Sequence, residues 1–347
     1  MVRQGILCAL VALGVVAVWP ATAGAAYWEQ GGGYYGEPGE ANQVTVQFDG
    51  EAVTITDTAP IRSSEEAYCT ENPGAVGCPP GPPDEFDPPP TCTSLSPNSI
   101  RCRYEGMLGS FDLDDADDSL AYMGPGPPLP ASGADFPDQL VVSGGAGNDS
   151  ITGSPYQDRL DGDDDSAQVT PAGDDQLSGG DGDDFLSSGG GDSSAHQNAL
   201  NGGAGDDRFA TEMGTNTVNG GSGDDLLIGG EGDDIARGDE GDDNFAGGNG
   251  EDLLLGGADD DELEGGPDKD LINGEAGNDG LEASFHGGCG GPDTLIGGPG
   301  SDSVYIFCGE PVLKLRDRTK DVATCKKKVK PVKVTSDKKD KLTGPCA

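Results

Sequence analysis

The chain has 347 residues, a formal net charge of −43, 60 glycines and only 5% aromatic side chains. Such a composition buries too little apolar surface for an ordinary globular core, and without a ligand it is typical of a disordered polyanion. Repulsion between phosphate and carboxylate excludes nucleic acid as a partner for the body of the chain. Folding therefore requires repeats, cross-links or bound cations.

The amino terminus predicts a secretory signal peptide over residues 1–26. Arg3 precedes an apolar run from Ile6 to Val18, and small residues at 21–26 offer cleavage sites. The run is too short to span a membrane comfortably, and no stop-transfer segment follows it. We therefore expect a mature protein without a membrane span, which is secreted and is extracellular or associated with the cell surface.

Residues 27–143 predict a β-rich amino-terminal cap that contains linkers rich in Gly and Pro. The run at 79–90 (PPGPPDEFDPPP) is typical of extended linker chain. Gln43 to Phe48 and Ala52 to Ile55 flank an Asp-Gly pair and predict a hairpin, and Ser99 to Tyr104 predict another strand. We expect this cap to cover the first coil of the following region and to prevent edge pairing.

A nine-residue repeat fills the segment from Gly202 to Glu282, where nine nonapeptides follow one another without an insertion. Well-formed copies read GGSGDDLLI, GGEGDDIAR and GGNGEDLLL, with glycine at positions 1 and 4, a carboxylate at position 6 and an apolar residue at position 8. A short fixed period predicts a solenoid, because one unit cannot bury its apolar face alone. The glycines allow a tight turn, and the three residues after the aspartate form a short strand.

Stacking of the repeats brings the position-6 carboxylates close together. Neighbouring strands lie about 4.8 Å apart, so two such carboxylates repel by roughly 3.5 kcal/mol at an effective dielectric constant near 20. Carboxylates and turn carbonyls together form an all-oxygen cage for a hard divalent cation. Calcium tolerates irregular coordination better than magnesium does. The residues therefore predict calcium ions between the rows of aspartates.

These nonapeptides resemble the repeats-in-toxin, or hemolysin-type, calcium-binding repeat G-G-x-G-x-D-x-U-x. The resemblance implies an all-β fold, a parallel β-roll in which repeat i stacks on repeat i+2, with multiple Ca²⁺ ions held by position-6 aspartates and turn carbonyls. Carried over by position, the metal ligands are Asp149, Asp158, Asp175, Asp184, Asp207, Asp225, Asp234, Asp243, Asp252, Asp261, Asp270, Asp279, Asp293 and Asp302. The resemblance places Asp207, Asp225, Asp243, Asp261 and Asp279 on one edge of the roll, and Asn216, Asp234, Asp252 and Asp270 on the other.

Several copies depart from the repeat pattern. Asn216 replaces the position-6 aspartate, which weakens the ion site expected there. Asp259 and Asp268 replace the position-4 glycine, which puts the geometry of those turns in question. Ala236 stands at the inward position beside Ile235, which suggests a strand shifted by one residue.

The cysteines form two groups of four once Cys8 of the predicted signal peptide is set aside. One group precedes the repeats and the other lies at their end: Cys69, Cys78, Cys92 and Cys102, then Cys289, Cys308, Cys325 and Cys346. Even groups in an exported chain predict disulfide-stapled caps at both ends, with three possible pairings in each group. A zinc site is disfavoured because the chain contains no C-x-x-C pair.

Residues 306–347 predict a basic carboxyl-terminal cap, with 12 Lys and Arg against 5 acidic residues. Apolar residues at alternating or interleaved positions in Val312 to Leu315 and Val329 to Val334 predict edge strands. Three interpretations of the positive charge are open: docking onto the acidic roll, attachment to an anionic cell-envelope polymer, or solubility alone.

No catalytic signature accompanies the repeats: the sequence lacks H-E-x-x-H, G-x-S-x-G and a phosphate loop followed by lysine. The roll is expected to span residues 144–305, with insertions near 188–201 and 283–287. We predict a monomeric, secreted calcium-binding protein that folds on binding Ca²⁺, is not an enzyme, and has a structural or envelope-associated role. The alternative is a secreted hydrolase or toxin that uses the roll as a calcium-triggered folding module.

Overall fold

A computed structural model describes residues 27–29, 33–35, 41–49, 52–58, 62–63, 92–96, 99–103, 109–113, 116–123, 140–163, 173–189, 196–283, 292–307, 312–315, 319–325, 333–336 and 339–343. The predicted signal peptide, the linker at 79–90 and residues 284–287 of the second insertion lie outside these residues. So do Cys69, Cys78, Cys289, Cys308 and Cys346.

The described residues form strands and no helix. The amino-terminal strands are β1 (Tyr27–Glu29), β2 (Gly33–Tyr35), β3 (Gln43–Phe48), β4 (Ala52–Thr56), β5 (Arg62–Ser63), β6 (Cys92–Ser96), β7 (Ser99–Arg103), β8 (Gly109–Asp112) and β9 (Ser119–Met123). The next are β10 (Leu140–Gly145), β11 (Ser150–Thr152), β12 (Arg159–Asp163), β13 (Gln176–Asp181), β14 (Phe185–Ser187), β15 (Ala199–Ala204), β16 (Arg208–Ala210), β17 (Thr217–Ser222) and β18 (Leu226–Ile228).

The carboxyl-terminal half continues with β19 (Ile235–Glu240), β20 (Asn244–Ala246), β21 (Leu253–Ala258), β22 (Glu262–Glu264), β23 (Leu271–Ala276), β24 (Gly280–Ala283), β25 (Thr294–Ile296), β26 (Ser303–Ile306), β27 (Val312–Leu315), β28 (Val322–Cys325), β29 (Lys333–Ser336) and β30 (Lys341–Thr343). Within this described part of the chain, no helix is long and apolar enough to cross a membrane.

Successive strands of the roll alternate between two sheets. From β8 onward, sheet A holds the even-numbered strands and sheet B the odd-numbered ones. Each strand pairs in parallel with the strand two places further along the chain, for example β15 with β17 and β16 with β18. In the central block the Cα partners are two nonapeptides apart, as in Leu200 with Val218. The predicted parallel β-roll, in which repeat i stacks on repeat i+2, is confirmed.

The core is the row of position-8 side chains that each sheet points into the roll. Leu227 and Phe245 on sheet A, and Val218 and Leu254 on sheet B, are fully buried. Burying each large apolar side chain stabilises the fold by about 2 kcal/mol. Ala236 is also fully buried and pairs with Val218 and Leu254. The strand shift predicted at Ala236 is therefore wrong, and a smaller side chain keeps the regular register.

From β13 to β23 the strands of the two sheets differ in length. Sheet A has short strands such as β22, which cover the three residues after the aspartate, as the repeat predicts. Sheet B has six-residue strands such as β21, in which pairing resumes beyond the first glycine of the next repeat, at Gly257 and Ala258. Between β13 and β23 the predicted three-residue strand therefore describes only sheet A. Outside this block the lengths vary, since β10 of sheet A has six residues and β25 of sheet B has three.

Both ends of the roll carry additional strands. The predicted hairpin is confirmed: β3 and β4 pair antiparallel, and β4 then pairs with β7. At the other end, the strand predicted at Val312 to Leu315 is β27, but it lies between β25 and β29 and is not an edge. Of the strand predicted at Val329 to Val334, only the last two residues are described, within β29.

The division of the chain into domains stays a prediction. Parallel pairing crosses both of the proposed boundaries of the roll. At the amino-terminal side β8 pairs with β10, and at the carboxyl-terminal side β26 pairs with β28.

Candidate metal centre

Tight turns at the two edges of the roll carry the position-6 residues. We call the turns that lead into sheet A edge A, and those that lead into sheet B edge B. Before β18, Gly221 and Gly223 have φ angles of 117° and 128°, a region that favours glycine. Four other residues adopt φ between 69° and 82° where most repeats have glycine: Asp239, Asp259, Asp268 and Glu275. Asp259 and Asp268, which replace the position-4 glycine, therefore keep the left-handed backbone conformation of the turn.

The position-6 side chains form a hydrogen-bonded ladder along each edge. The backbone N–H of Asp207 donates to Oδ1 of Asp225 at 2.8 Å, and the N–H of Asp225 donates to Oδ1 of Asp243 at 2.9 Å. Ladder A on edge A comprises Asp158, Asp184, Asp207, Asp225, Asp243, Asp261, Asp279, Asp302 and Asp321. Ladder B on edge B comprises Asp118, Asp149, Asp175, Asn198, Asn216, Asp234, Asp252, Asp270 and Asp293.

All of the aspartates predicted as metal ligands lie in these two ladders. None of them is more than 2% exposed. The fold therefore brings carboxylates that are distant in sequence into two buried rows, one on each edge, and neighbouring carboxylates within a row lie close together.

One carboxylate oxygen of most ladder aspartates has no hydrogen-bond partner. Oδ1 accepts the N–H from the preceding coil, whereas Oδ2 is buried without a donor in Asp149, Asp175, Asp184, Asp207, Asp225, Asp243, Asp252, Asp261, Asp270 and Asp279. Leaving a buried acceptor unsatisfied costs on the order of 1–3 kcal/mol, and more for a charged group. An unpartnered oxygen that recurs at successive coils fits a bound cation.

Turn carbonyls lie beside these unpartnered oxygens. A Cβ placed on Gly220, at position 1, would overlap Oδ2 of Asp225 and come within 3.0 Å of the carbonyl oxygen of Gly238 in the next coil. Carboxylate and carbonyl oxygens are the ligands that Ca²⁺ prefers. In the described segments, no three side chains of His, Cys, Asp or Glu form a metal cluster by themselves. A cation held here therefore needs backbone carbonyls as well, and the donors present fit calcium.

The comparisons with known proteins agree with this geometry. The family model of the RTX calcium-binding nonapeptide repeat matches residues 142–166, 172–195, 197–227, 211–245, 219–254, 246–281 and 289–305. Residues 142–305 are an RTX repeat array. RTX repeats bind Ca²⁺ ions at multiple sites, so calcium is the ion of this array. A search of curated proteins gave no match to the chain.

Burial disfavours the charged form of the carboxylates in the RTX array. Burial raises the pKa of Asp225 to about 8, against the lowering effect of the N–H donated by Asp207, and the charges of Asp207 and Asp243 raise it further. Burial likewise raises the pKa of Asp184 to about 9 and that of Asp261 to about 8. Protons and cations therefore compete for the same oxygens.

At two ladder aspartates, Asp158 and Asp234, a neighbouring side chain or turn N–H donates to Oδ2. Oδ2 of Asp158 accepts the backbone N–H of Ser154, and its Oδ1 accepts the Ser154 hydroxyl at 2.9 Å. Oδ2 of Asp234 accepts the hydroxyl of Thr211 at 3.3 Å. These two positions satisfy their carboxylates with neutral donors.

A second ladder runs along edge A at position 5 and is exposed to solvent. The backbone N–H of Asp242 donates to Oδ1 of Asp224 at 2.9 Å, and the N–H of Asp260 donates to Oδ1 of Asp242 at 2.9 Å. The direction is opposite to that of ladder A, in which each N–H donates to the following coil. Each turn is therefore held to both of its neighbours by adjacent carboxylates, one buried and one exposed.

Sequence reasoning missed three members of the ladders. Asp118, Asn198 and Asp321 occupy ladder positions without the glycines of a complete repeat before them. Each is followed two residues later by a buried Leu or Ala, as in Asp118-Ser-Leu, which is the second half of the nonapeptide alone. This second half of the repeat is the sequence signal that could have identified the three residues. In addition, β15 begins at Ala199, so the last residues of the insertion predicted near 188–201 belong to a regular coil.

Proposed function

We propose that the chain is a secreted structural or envelope-associated interaction protein whose roll folds as it binds calcium. The observation that carries the proposal is the row of buried Oδ2 atoms without donors along each ladder. Removing a row of like charges from water is unfavourable unless a cation compensates them. Ion binding and chain folding are then coupled, because the unfolded chain has no preformed site.

Of the fourteen aspartates predicted from the repeats, we assign as ligands all except Asp158 and Asp234, whose carboxylates neutral donors satisfy, together with carbonyl oxygens of the turns. In this assignment Oδ2 of Asp225 and the carbonyl of Gly238 contribute to one site, as their proximity to the same Gly220 supports. The exposed position-5 carboxylates, such as Asp224, are not ligands and serve to hold adjacent turns together.

Circular dichroism of the full chain in EGTA, followed by a titration to millimolar Ca²⁺, tests the coupling of folding and binding. We expect a β-sheet signal that develops cooperatively with calcium at neutral pH. The proposal fails if the β-sheet signal is the same with chelator and with calcium.

A matched pair of double variants tests the ligand assignment on edge A. Asp225→Asn with Asp243→Asn removes two buried ladder carboxylates, and Asp224→Asn with Asp242→Asn removes the two exposed carboxylates beside them. Both pairs change the net charge equally. We expect the first pair to weaken calcium binding at least tenfold more than the second. Equal effects would contradict the assignment.

Disulfide-stapled caps at both ends are part of the proposal. The backbone register supports one pairing in the amino-terminal group, since Cys92 and Cys102 are Cα partners on the antiparallel strands β6 and β7. Residues directly opposite each other on such strands lie about 4.5–5.5 Å apart at Cα, within the range that a disulfide requires. That pairing leaves Cys69 to pair with Cys78.

The basic carboxyl-terminal segment is proposed to attach to an anionic cell-envelope polymer. It supplies the final strands of both sheets, and Lys339 and Lys341 are exposed at that end of the roll. Sedimentation of the calcium-loaded chain with purified anionic envelope polymer tests this attachment. We expect binding that 0.5 M salt reduces strongly and that Lys339→Glu with Lys341→Glu weakens, because Debye screening is about 4 Å at that ionic strength. Binding that neither change reduces would contradict the attachment.

A further inference from the structure

The outer face of sheet B differs in charge from the rest of the molecule. Its outward side chains stand at positions 7 and 9 of each repeat, for example Ile235 and Arg237 on either side of buried Ala236. At positions 7 and 9 from β11 to β27 these side chains include no Asp or Glu, and the only charged ones are Arg237 and Lys314. The longer strands continue into exposed acidic residues that border this surface: Asp181, Asp239, Glu240 and Glu275. We call this surface the neutral face, and it lies on a chain with 63 acidic residues.

The other surfaces of the roll carry carboxylates. The outward residues of sheet A include Asp161, Glu262, Glu264 and Glu282. The exposed position-5 ladder lines edge A. At positions 7 and 9 the neutral face therefore carries a small positive charge, and the acidic residues of the roll lie around it.

The neutral face is apolar towards its carboxyl-terminal half. Ile235, Leu253 and Leu271 are successive register partners, so their side chains form a continuous row. The apolar patch comprises Ile235, Leu253, Leu255, Leu271, Ile296 and Val312, all at least partly exposed, with Leu271 at 38%. Contiguous apolar patches on soluble proteins mark interaction sites.

Charge favours a second copy of the chain as the occupant of this patch. Two molecules of net charge −43 repel through any pair of surfaces that opposes carboxylates. Face-to-face contact through the neutral face avoids that repulsion, keeps the acidic edges at the border, and buries the apolar rows against each other as in sheet-on-sheet packing.

The size of the face is sufficient for a weak dimer. Nine strands at about 4.8 Å spacing extend over about 40 Å, and positions 7 to 9 extend over about 10 Å of each strand, which gives about 400 Å² per copy and about 800 Å² in total. That total lies below the range of stable specific interfaces and in the range of weak, transient contacts, so the association is expected to depend on concentration.

We propose that the neutral face of sheet B docks on the neutral face of a second copy, forming a two-fold symmetric dimer. This differs from the monomer predicted by the sequence. The proposal requires a folded roll but does not depend on the role assigned to the protein.

Sedimentation velocity of the full chain in millimolar calcium, from about 1 to 200 µM, tests the dimer, since small interfaces give weak association. Leu253→Lys with Leu271→Lys places two charges in the centre of the patch. The control is Ile228→Lys, which alters the 61% exposed side chain of the opposite sheet. We expect the wild type and the control to approach twice the mass of one chain, and the double variant to weaken dimerisation at least tenfold.

Two results would overturn the dimer: a single-chain mass for the wild type over the whole range, or equal weakening by the double variant and the control. If the double variant lacks the calcium-induced β-sheet signal, Leu255→Lys on the same face replaces it and carries the same expectation. A β-sheet signal that is indifferent to calcium would contradict the proposed function and leave the dimer test intact.

Discussion

Asn216 donates its side-chain N–H to Oδ1 of Asp234 at 2.9 Å, so that an amide occupies ladder B where the following coils have carboxylates. Asn198 in turn donates its side-chain N–H to Oδ1 of Asn216 at 3.1 Å. The Thr211 hydroxyl donates to Oδ2 of Asp234, so neutral donors satisfy both carboxylate oxygens of this residue. In most other coils Oδ2 has no donor. Edge B therefore contains a short segment in which neutral donors satisfy the ladder side chains by hydrogen bonds. On edge A, every ladder position is an aspartate.

Replacing Asn216 by Asp should convert this segment into a cation site. The substitution removes the bond to Oδ1 of Asp234 and places a further buried carboxylate in the ladder. We expect one additional Ca²⁺ bound per chain and a steeper dependence of stability on calcium concentration. Equilibrium dialysis with metal analysis measures the first, and urea unfolding at several calcium concentrations measures the second.

Asn219→Asp is the control for that experiment. Asn219 lies three residues further on, points outward from sheet B, and donates to Asn201 at 3.0 Å at an exposed site. The same chemical change there should leave the bound calcium unchanged. An identical calcium content for both variants would contradict the neutral-donor interpretation of Asn216.

Acid should partly replace calcium in stabilising the roll. Burial raises the folded-state pKa of Asp207 to about 7 and that of Asp225 to about 8, from an ordinary value of 3.8. Between the ordinary and the raised values the folded chain binds more protons than the unfolded chain, so stability in EGTA falls as pH rises from about 4 to 8. We expect β-sheet signal in EGTA at pH 5 and its loss at pH 8.

Calcium should reverse this pH dependence, because the ion requires the deprotonated carboxylate. In millimolar calcium the urea midpoint should therefore rise from pH 5 to pH 8. Circular dichroism and urea titration at both pH values measure the two trends. A metal-free signal that increases with pH would contradict the burial of these carboxylates.

The position-1 glycines should tolerate no side chain. A Cβ on Gly220 would overlap Oδ2 of Asp225, whereas one on Gly280 would have its nearest neighbour at 3.7 Å. We expect Gly220→Ala to destabilise the calcium-loaded roll by about 2–4 kcal/mol through steric overlap and damage to the site. Gly280→Ala should be neutral or stabilise by up to about 1 kcal/mol, since it reduces the entropy of the unfolded chain. Urea unfolding in calcium compares them.

The roll was predictable because the nine-residue period constrains the turns, the buried positions and the stacking of the coils. Glycine spacing determines the turn, the apolar residue at position 8 determines the inward face, and tandem copies determine the stacking. The same period places Asp225 and Asp243 in one ladder, which no single repeat reveals. The greater length of the sheet B strands between β13 and β23 was not predictable, because the repeats of both sheets have the same sequence pattern.

The remaining errors have one physical cause. The residue types at Ala236 and Asp259 suggested a shifted strand and an altered turn, respectively. Stacking against the regular coils on either side keeps the usual register and the usual turn. At Asp118 and Asp321 the opposite occurs, since half a repeat is held in register by the adjacent coil. Stacking therefore tolerates more sequence variation than the consensus pattern indicates.

Restoring glycine at a left-handed position should stabilise the roll. Glu275 has φ of 69° where its register partner Gly257 has 133°. A left-handed conformation costs a side-chain-bearing residue about 1–2 kcal/mol, so Glu275→Gly should raise stability by about 1 kcal/mol. Glu264→Gly, in the regular strand β22, should instead lower it by about 0.5–1 kcal/mol. Equal shifts of the urea midpoint would contradict strain at Glu275.

The disulfide pairing proposed for the amino-terminal cysteines can be tested by peptide mapping of the oxidised chain. The register of β6 and β7 places Cys92 opposite Cys102, so non-reducing digestion should release a cross-linked peptide containing both and another containing Cys69 and Cys78. Double replacement of Cys92 and Cys102 by Ser should destabilise the chain by about 2–3 kcal/mol, since the loop that the bond closes is short. For the digestion, the control is the wild type under reducing conditions, in which both cross-linked peptides should be absent. Mass spectrometry that finds Cys92 bonded to Cys69 or Cys78 would contradict the pairing.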